Sequence, residues 1–309
     1  MPSSTSLAPA PPRRAGTVLL AVTMVVAWSF NYVAGKVAVE HMPALAAASF
    51  RLVVAGAIFT AMLLARRDRL PRLGRADLPA FLLLGLTGVV ANQGGFTLSL
   101  KHASVPQVAL IAACGPVMVL LMAWVSGLES LTVAKVAGMA IAFGGMAALT
   151  AHEGMSGQSG ALSGDLLALC STTGLALFTV CSKRVAGGYD PLTVASCAGV
   201  VGGALALPIA LVEAHRFDWS ATPWQGWAGM LYMAIVSSVV AYVIFYRLIR
   251  RLEASQVASL NFLLPVIGIL LGVVLLHEPL RPYFALPASM IAVGVWLAER
   301  ARRQAAQAA

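Results

Sequence analysis

The chain has 309 residues, of which 59% are hydrophobic and only 11% charged, with a mean hydropathy of +0.84 and a formal net charge of +9. A soluble domain carries about a quarter charged residues, so this composition excludes an ordinary water-exposed protein. No basic patch interleaved with aromatics accompanies the positive balance, which argues against a nucleic-acid partner.

Residues 1–15 are rich in Pro, Ser and Ala and are expected to form a disordered cytoplasmic N-terminus. Arg13 and Arg14 precede an apolar run that continues past signal-peptide length without a convincing cleavage site, which predicts a retained first span. Ten spans are expected, at 16–35, 44–64, 79–99, 104–125, 132–150, 164–183, 191–212, 225–246, 255–276 and 282–298. At about 1.5 Å per residue each can cross roughly 30 Å of hydrocarbon. A β-barrel would instead show short alternating segments. The expected class is an all-α integral membrane protein whose main partner is the lipid bilayer, with almost nothing left for a soluble domain.

Orientation follows from the connections. With a cytoplasmic N-terminus, 16 of the 21 Lys and Arg residues fall inside, four fall outside (Lys36, Lys101, Arg216 and Arg281), and Arg51 alone lies within a span. The positive-inside rule then places both termini in the cytoplasm, so the net charge reflects topology.

An internal duplication divides the chain. A shift of 149 residues aligns the segment from Gln107 with that from Gln256, matching Pro116 to Pro265 and Glu129 to Glu278 without a gap. A shift of 148 aligns the beginnings of the halves, Gly16 with Gly164, Lys36 with Arg184 and Pro43 with Pro191. The expected organisation is a five-helix repeat over 16–150, a connecting loop over 151–163, a second five-helix repeat over 164–299 and a cytoplasmic tail over 300–309. Five is odd, so the second copy enters the membrane from the opposite side: two inverted-topology repeats, an arrangement that lets a central site face each side in turn.

In such folds, helices interrupted at corresponding places line the site. Pro116 in CGP and Pro265 in LLP interrupt the fourth and ninth spans, each removing a backbone donor. A packing kink and a pathway lining are both compatible with them.

The segment WSFNYVAGKVAVEHMPALAAASFRLVVAG from Trp28, the helix ASVPQVALIAACGPVMVLLMAW and the GLES and HEPL junctions together resemble the EamA family of the drug/metabolite transporter superfamily. The resemblance covers nearly the whole chain. It implies a ten-helix metabolite exporter or importer of a bacterial inner membrane that opens a central cavity alternately to the two sides. Amino acids and other small metabolites are the implied substrates; a drug or nucleotide-sugar carrier of the same superfamily is the alternative. The halves differ where Trp28 meets Ala176 and Asn31 meets Thr179, so equivalent contacts from both are not implied.

Candidate pathway residues are the polar and aromatic groups within spans. Trp28, Asn31 and Tyr32 share one helical face, as do Tyr242 and Tyr246. Asn92 and Gln93 stand together in the third span, and Asn261 lies one turn before Pro265. Such groups are expected to face the bundle interior, either touching substrate or bonding between helices at about 0.6 to 2 kcal/mol each. Gly199 with Gly203 and Gly268 with Gly272 form GxxxG packing pairs. Glu129 and Glu278 precede the fifth and tenth spans, where a helix N-terminus favours a carboxylate.

Several chemistries are disfavoured. The four cysteines lie within spans with no CxxC, and the five histidines scatter around the connections, so no metal, cofactor or redox centre is expected. No Walker lysine loop exists for ATP-driven pumping, and no clustered acids or histidines suit an intramembrane enzyme. Transport is expected to be facilitated or secondary. A structural or receptor-like membrane protein is the non-transport alternative, and a homodimer is compatible with the chain.

Arg51 is the one cation within a span. Nine strongly apolar neighbours at about −0.3 to −0.6 kcal/mol each offset its roughly +2.5 to +3.5 kcal/mol insertion cost. It sits about 10 Å from the outer end of its helix, so its side chain could snorkel outward or face the cavity and attract a carboxylate. The aligned residue in the second half is Gly199, so the repeat itself does not demand a charge there.

Overall fold

The computed structural model describes residues 14–65, 74, 77–155, 161–185, 189–249, 260 and 263–308. Helices follow one another along the chain: α1 (Arg14–His41), α2 (Ala44–Ala65), α3 (Leu78–His102), α4 (Val105–Val125), α5 (Val133–Met155), α6 (Ala161–Val185) and α7 (Pro191–Arg216). Then come α8, continuous from Trp224 to Ile249, α9 (Leu263–Leu276) and α10 (Ala285–Ala308). Nine helices among the described residues are long and apolar enough to cross a membrane. The exception is α9, 14 residues long, because most of the first half of the expected ninth span lies outside the described residues.

Several helices outrun their expected ends, α5 reaching Met155 and α6 starting at Ala161 within the expected connecting loop, and α1 and α10 run furthest past theirs. Nothing in GKVAVEH breaks a helix, so α1 continues to His41 and stops before Pro43, which disfavours helical backbone in the residue preceding it. The tail expected after 299 is built of strong helix formers and extends α10 to Ala308, with Arg302 donating to Glu299 at 3.0 Å one turn earlier.

Three helices depart from α geometry. Pro116 breaks α4 at Cys114, between Val105–Ala113 and Gly115–Val125, and sits in the first turn of the second segment, where a missing N–H costs least. In α3 a π-helical stretch spans Gly85–Gly94, and in α8 another spans Tyr232–Val240. These wide turns fall at nearly corresponding positions of the duplicated sequence. Such stretches are rare and concentrate at functional sites.

Small residues set the helix packing. Gly203 of α7 rests on α2 so closely that a Cβ there would lie 3.0 Å from the Gly56 Cα. On the other side of the bundle, a Cβ on Gly294 of α10 would lie 2.5 Å from backbone atoms of Gly138 and Ala142 in α5. Each pair joins helices related by the sequence duplication. Large apolar residues such as Val18, Leu19 and Val22 of α1, Val274 of α9 and Leu286 of α10 are exposed, giving the apolar outer surface a bilayer requires.

The largest buried apolar cluster includes Met42, Leu100, Val105, Ile111, Met233 and Ile291. It extends from the end at which α1 finishes, called here the Lys36 end, to Met139 and Ala298 in the opposite half. The opposite end carries the Tyr189 turn between α6 and α7.

Candidate functional site

Arg51 does not snorkel. It is 2% exposed, and its guanidinium lies inside the bundle between α2, α3 and α8. Nη1 donates to Thr97 Oγ1 at 3.0 Å and approaches Met233 Sδ at 3.4 Å; Nη2 donates to Ser238 Oγ at 3.0 Å and Gln93 Oε1 at 3.3 Å. The buried Nε has no hydrogen-bond partner. Every acceptor is neutral, and the thioether is a weak one. Gln93 belongs to the π stretch of α3, while Met233 and Ser238 belong to that of α8, so the two wide turns supply most of this shell.

The shell is internally braced. Ser238 Oγ lies 2.6 Å from Gln93 Oε1 and 2.8 Å from the Met233 carbonyl, and Thr97 Oγ1 donates to the Gln93 carbonyl at 2.9 Å. Arg51 can only donate, so the Gln93 amide must turn its oxygen toward the guanidinium. The amide nitrogen is thereby left facing away.

A narrow cleft begins at Gln93 and Ser238 and continues toward the Tyr189 end. Its walls include Ala55, Phe59, Val89, Phe178, Ala198 and Tyr242, and it has room for about one water molecule. Arg51 stands one layer behind the polar end of this cleft. Tyr242 lines the same cleft as Gln93 and Ser238, beside the apolar part of the wall.

The other expected pathway residues divide. Trp28 donates Nε1–H to the Ser237 carbonyl at 3.1 Å and packs edge-on against Tyr242, placing it behind the cleft wall. Asn31 is buried with no partner for its Oδ1, and buried Tyr32 packs against Phe96 and the face of Gly268. Asn92 donates to the Ser171 carbonyl at 3.1 Å while Ser171 Oγ donates back to the Asn92 carbonyl at 2.8 Å, a reciprocal clasp between α3 and α6 outside the cleft lining. The side chain of Tyr246, and Asn261 altogether, lie outside the described residues. Pro116 and Pro265 are absent from the cleft lining; Pro265 is buried near the start of α9.

Glu278 does something other than cap the helix that follows it. His277 adopts φ +53, and Glu278 reaches across to accept the Val105 N–H at the start of α4 at 2.7 Å. Its other oxygen lies 3.7 Å from Lys36 Nζ, which also donates to the Leu100 and Ala103 carbonyls at 3.1 and 3.2 Å. The dipole argument picked the right residue type for the wrong helix, because the left-handed turn at His277 aims the carboxylate sideways. Burial raises the Glu278 pKa, opposed by the Val105 N–H and Lys36. Glu129 pairs with Lys135 at 3.1 Å.

Two further connections were not expected. Gln107 Nε2 donates to Asp165 Oδ1 at 2.5 Å between α4 and α6, both residues buried. At the Tyr189 end, Tyr189 Oη donates to Asp77 Oδ2 at 2.5 Å, and this bond raises the tyrosine pKa. The Lys36 end is therefore held by a partly buried ion pair and the other by a partly buried hydrogen bond. Among the described residues no group of three or more His, Cys, Asp or Glu could hold a metal ion.

Comparison with known proteins gives a consistent picture. The EamA-like transporter family matches residues 15–151 and again 162–299. The chain is 29% identical to the uncharacterized transporter YvbV of Bacillus subtilis, over 85% of each chain. It is 28% identical to a protein of Escherichia coli named "probable amino-acid metabolite efflux pump", over 90% of this chain and 93% of that one. A "probable terminal-alkyne amino-acid exporter" of Streptantibioticus cattleyicolor is 27% identical, over 90% and 92%. A solved crystal structure, 22% identical, superposes with a TM-score of 0.59 over 94% of this chain and 99% of the other, a likeness of fold.

Proposed function

Because the chain belongs to the EamA-like transporter family, we propose that it carries small metabolites, amino acids and their derivatives among them, through the cleft beside Arg51. It is a multi-pass membrane protein, and the names of its family and relatives indicate a transporter rather than an enzyme. The observation that carries the reading is the convergence of α2, α3 and α8 on one buried cation whose shell opens into a cleft.

Alternating access between two inverted five-helix repeats is the mechanism we infer. It is supported by the double family match, by π stretches at nearly corresponding positions and by the pairing of duplicated helices α2 with α7 and α5 with α10. With both termini in the cytoplasm of a bacterial inner membrane, the cleft lies in the cytoplasmic half and the Lys36–Glu278 pair closes the outer end. Loading from inside fits an exporter, the role named for two of the relatives.

Purified protein in proteoliposomes, assayed for counterflow of radiolabelled metabolites, tests the reading. Flux should depend on the protein and saturate with substrate. Absence of flux for every metabolite class tried, with protein shown to be folded, would overturn it.

A further inference from the structure

The lining of the cleft is uncharged, and Arg51 stands one layer behind its polar end. All 12 Asp and Glu residues fall at expected span ends or in connections, and among the described residues the middle of the bundle holds a cation and no carboxylate. The Arg51 guanidinium is buried, bonded to neutral groups alone, and keeps one N–H unpartnered. A buried cation in that position is stabilised by a counter-anion it does not yet have.

The layer between Arg51 and the cleft passes this preference on. Gln93 is held with its oxygen toward Arg51 and Ser238 and also lines the cleft, so its amide donors are turned away from the cation. The polar end of the cleft thus offers donors backed by a positive charge. Beyond it the walls are apolar and aromatic, with Phe59, Phe178 and the Tyr242 ring among them.

We propose that the substrate class is the small apolar monocarboxylate without a free ammonium group: a 2-oxo acid, N-acylated amino acid or aryl-alkanoate rather than the parent zwitterion. This rests on the transport reading and, within it, replaces free amino acids by derivatives that lack the ammonium group. The carboxylate accepts from the Gln93 amide, Tyr242 or, after side-chain rearrangement, from Arg51 itself. An ammonium in the same cleft would lose its hydration with no carboxylate to replace it and would lie close to Arg51. The cleft, with room for about one water in this structure, must widen for any of these ligands, and a neutral amide would gain nothing from the cation once inside.

The test uses three probes that share one skeleton: phenylpyruvate, phenylalanine and phenylacetamide. Thermal stabilisation of the full-length protein in detergent measures binding, and counterflow in proteoliposomes measures transport. Phenylpyruvate should stabilise with an apparent affinity at least about tenfold above the other two, and Arg51→Gln, checked for a monodisperse folded state, should lose that preference. Equal or stronger binding of phenylalanine, equal binding of all three, no stabilisation by phenylpyruvate, or a preference that survives in Arg51→Gln would each overturn the proposal.

The two assays separate the readings. Phenylpyruvate that binds preferentially but does not move is a ligand and not a substrate, which overturns the proposal, while counterflow of another metabolite class would leave the transport reading standing. Phenylalanine that moves while phenylpyruvate neither binds nor moves leaves transport standing and removes the class.

Discussion

Ser238 Oγ accepts a hydrogen bond from Arg51 Nη2 at 3.0 Å although 187 residues separate the two in the chain. The bond ties the second helix to the eighth, and so the first half of the duplication to the second. The same hydroxyl lies 2.6 Å from Gln93 Oε1, so one serine both receives from the cation and steadies its neighbour. Ser238→Ala removes an acceptor from Arg51 and a donor from Gln93 together. Interhelical bonds of this kind contribute about 0.6 to 1.7 kcal/mol in a membrane, and a loss at the upper end of that range is expected. Thermal unfolding in detergent measures it, and Ser237→Ala should cost less, because Trp28 bonds to the Ser237 backbone carbonyl, which the substitution keeps.

The Lys36–Glu278 pair gives a second expectation, with a defined order. Glu278→Gln loses the ionic partner of Lys36 but keeps an oxygen for the Val105 N–H, whereas Glu278→Ala loses both. The alanine variant should therefore be the less stable by about 1 kcal/mol, the contribution of one hydrogen bond.

Acid should act on the same group with a definite sign. Burial raises the folded-state pKa of Glu278, with Lys36 and the Val105 N–H opposing the shift and Glu40 adding to it. A carboxyl with a raised folded pKa binds its proton more tightly when folded. Its contribution to stability is full below the unfolded pKa, about 4.3, and is lost as pH rises through the folded value. The melting temperature of the native protein relative to Glu278→Gln should rise as pH falls from 7 toward about 4. A difference independent of pH would show that Glu278 titrates alike in both states.

Close glycine contacts supply a test of the helix pairing. A Cβ on Gly294 would meet the Ala142 nitrogen and the Gly138 oxygen at 2.5 Å, both backbone atoms that cannot rotate aside. Gly294→Ala should cost about 1 to 3 kcal/mol as overpacking. Gly16→Ala, with nothing within 4 Å of the added carbon, should be neutral or slightly stabilising. Side-by-side thermal melts decide it.

How far the sequence foretold this depends on the range of the signal. Spans were legible because bilayer crossing imposes long apolar runs, and Pro116 announced a break that does occur, at Cys114. Gly199 and Gly203 were legible as a packing pair by their spacing, whereas Gly138 and Gly294 use the less conspicuous small-xxx-small spacing to Ala142 and Ala298, which a GxxxG pattern passes over. The Arg51 shell was illegible for the same reason. Thr97, Met233 and Ser238 are ordinary span residues until the fold brings them to Arg51; the last two lie in a π stretch and Thr97 just beyond the other, and no composition rule marks a π turn. Asn92 and Gln93 are adjacent, yet the helix sends one to Ser171 and the other to Arg51.

Arg51 itself can be removed without unravelling its surroundings. In Arg51→Met, Gln93 Oε1 still has Ser238 as a donor and Thr97 still bonds to the Gln93 carbonyl, so no acceptor is stranded. Replacing a buried charge with an apolar side chain of similar length is often neutral or stabilising by about 1 to 4 kcal/mol. The melting temperature should hold or rise while carboxylate counterflow falls by at least about tenfold, the equivalent of about 1.4 kcal/mol. Arg51→Lys keeps the charge but cannot span Thr97, Gln93 and Ser238 with a planar fork, and should fall between the two. A methionine variant that is stable and transports normally would remove Arg51 from the substrate path; one that fails to fold would make the cation structural. Flux and melting measured on the same preparations distinguish these outcomes, because a functional cation separates the two readouts and a structural one moves them together.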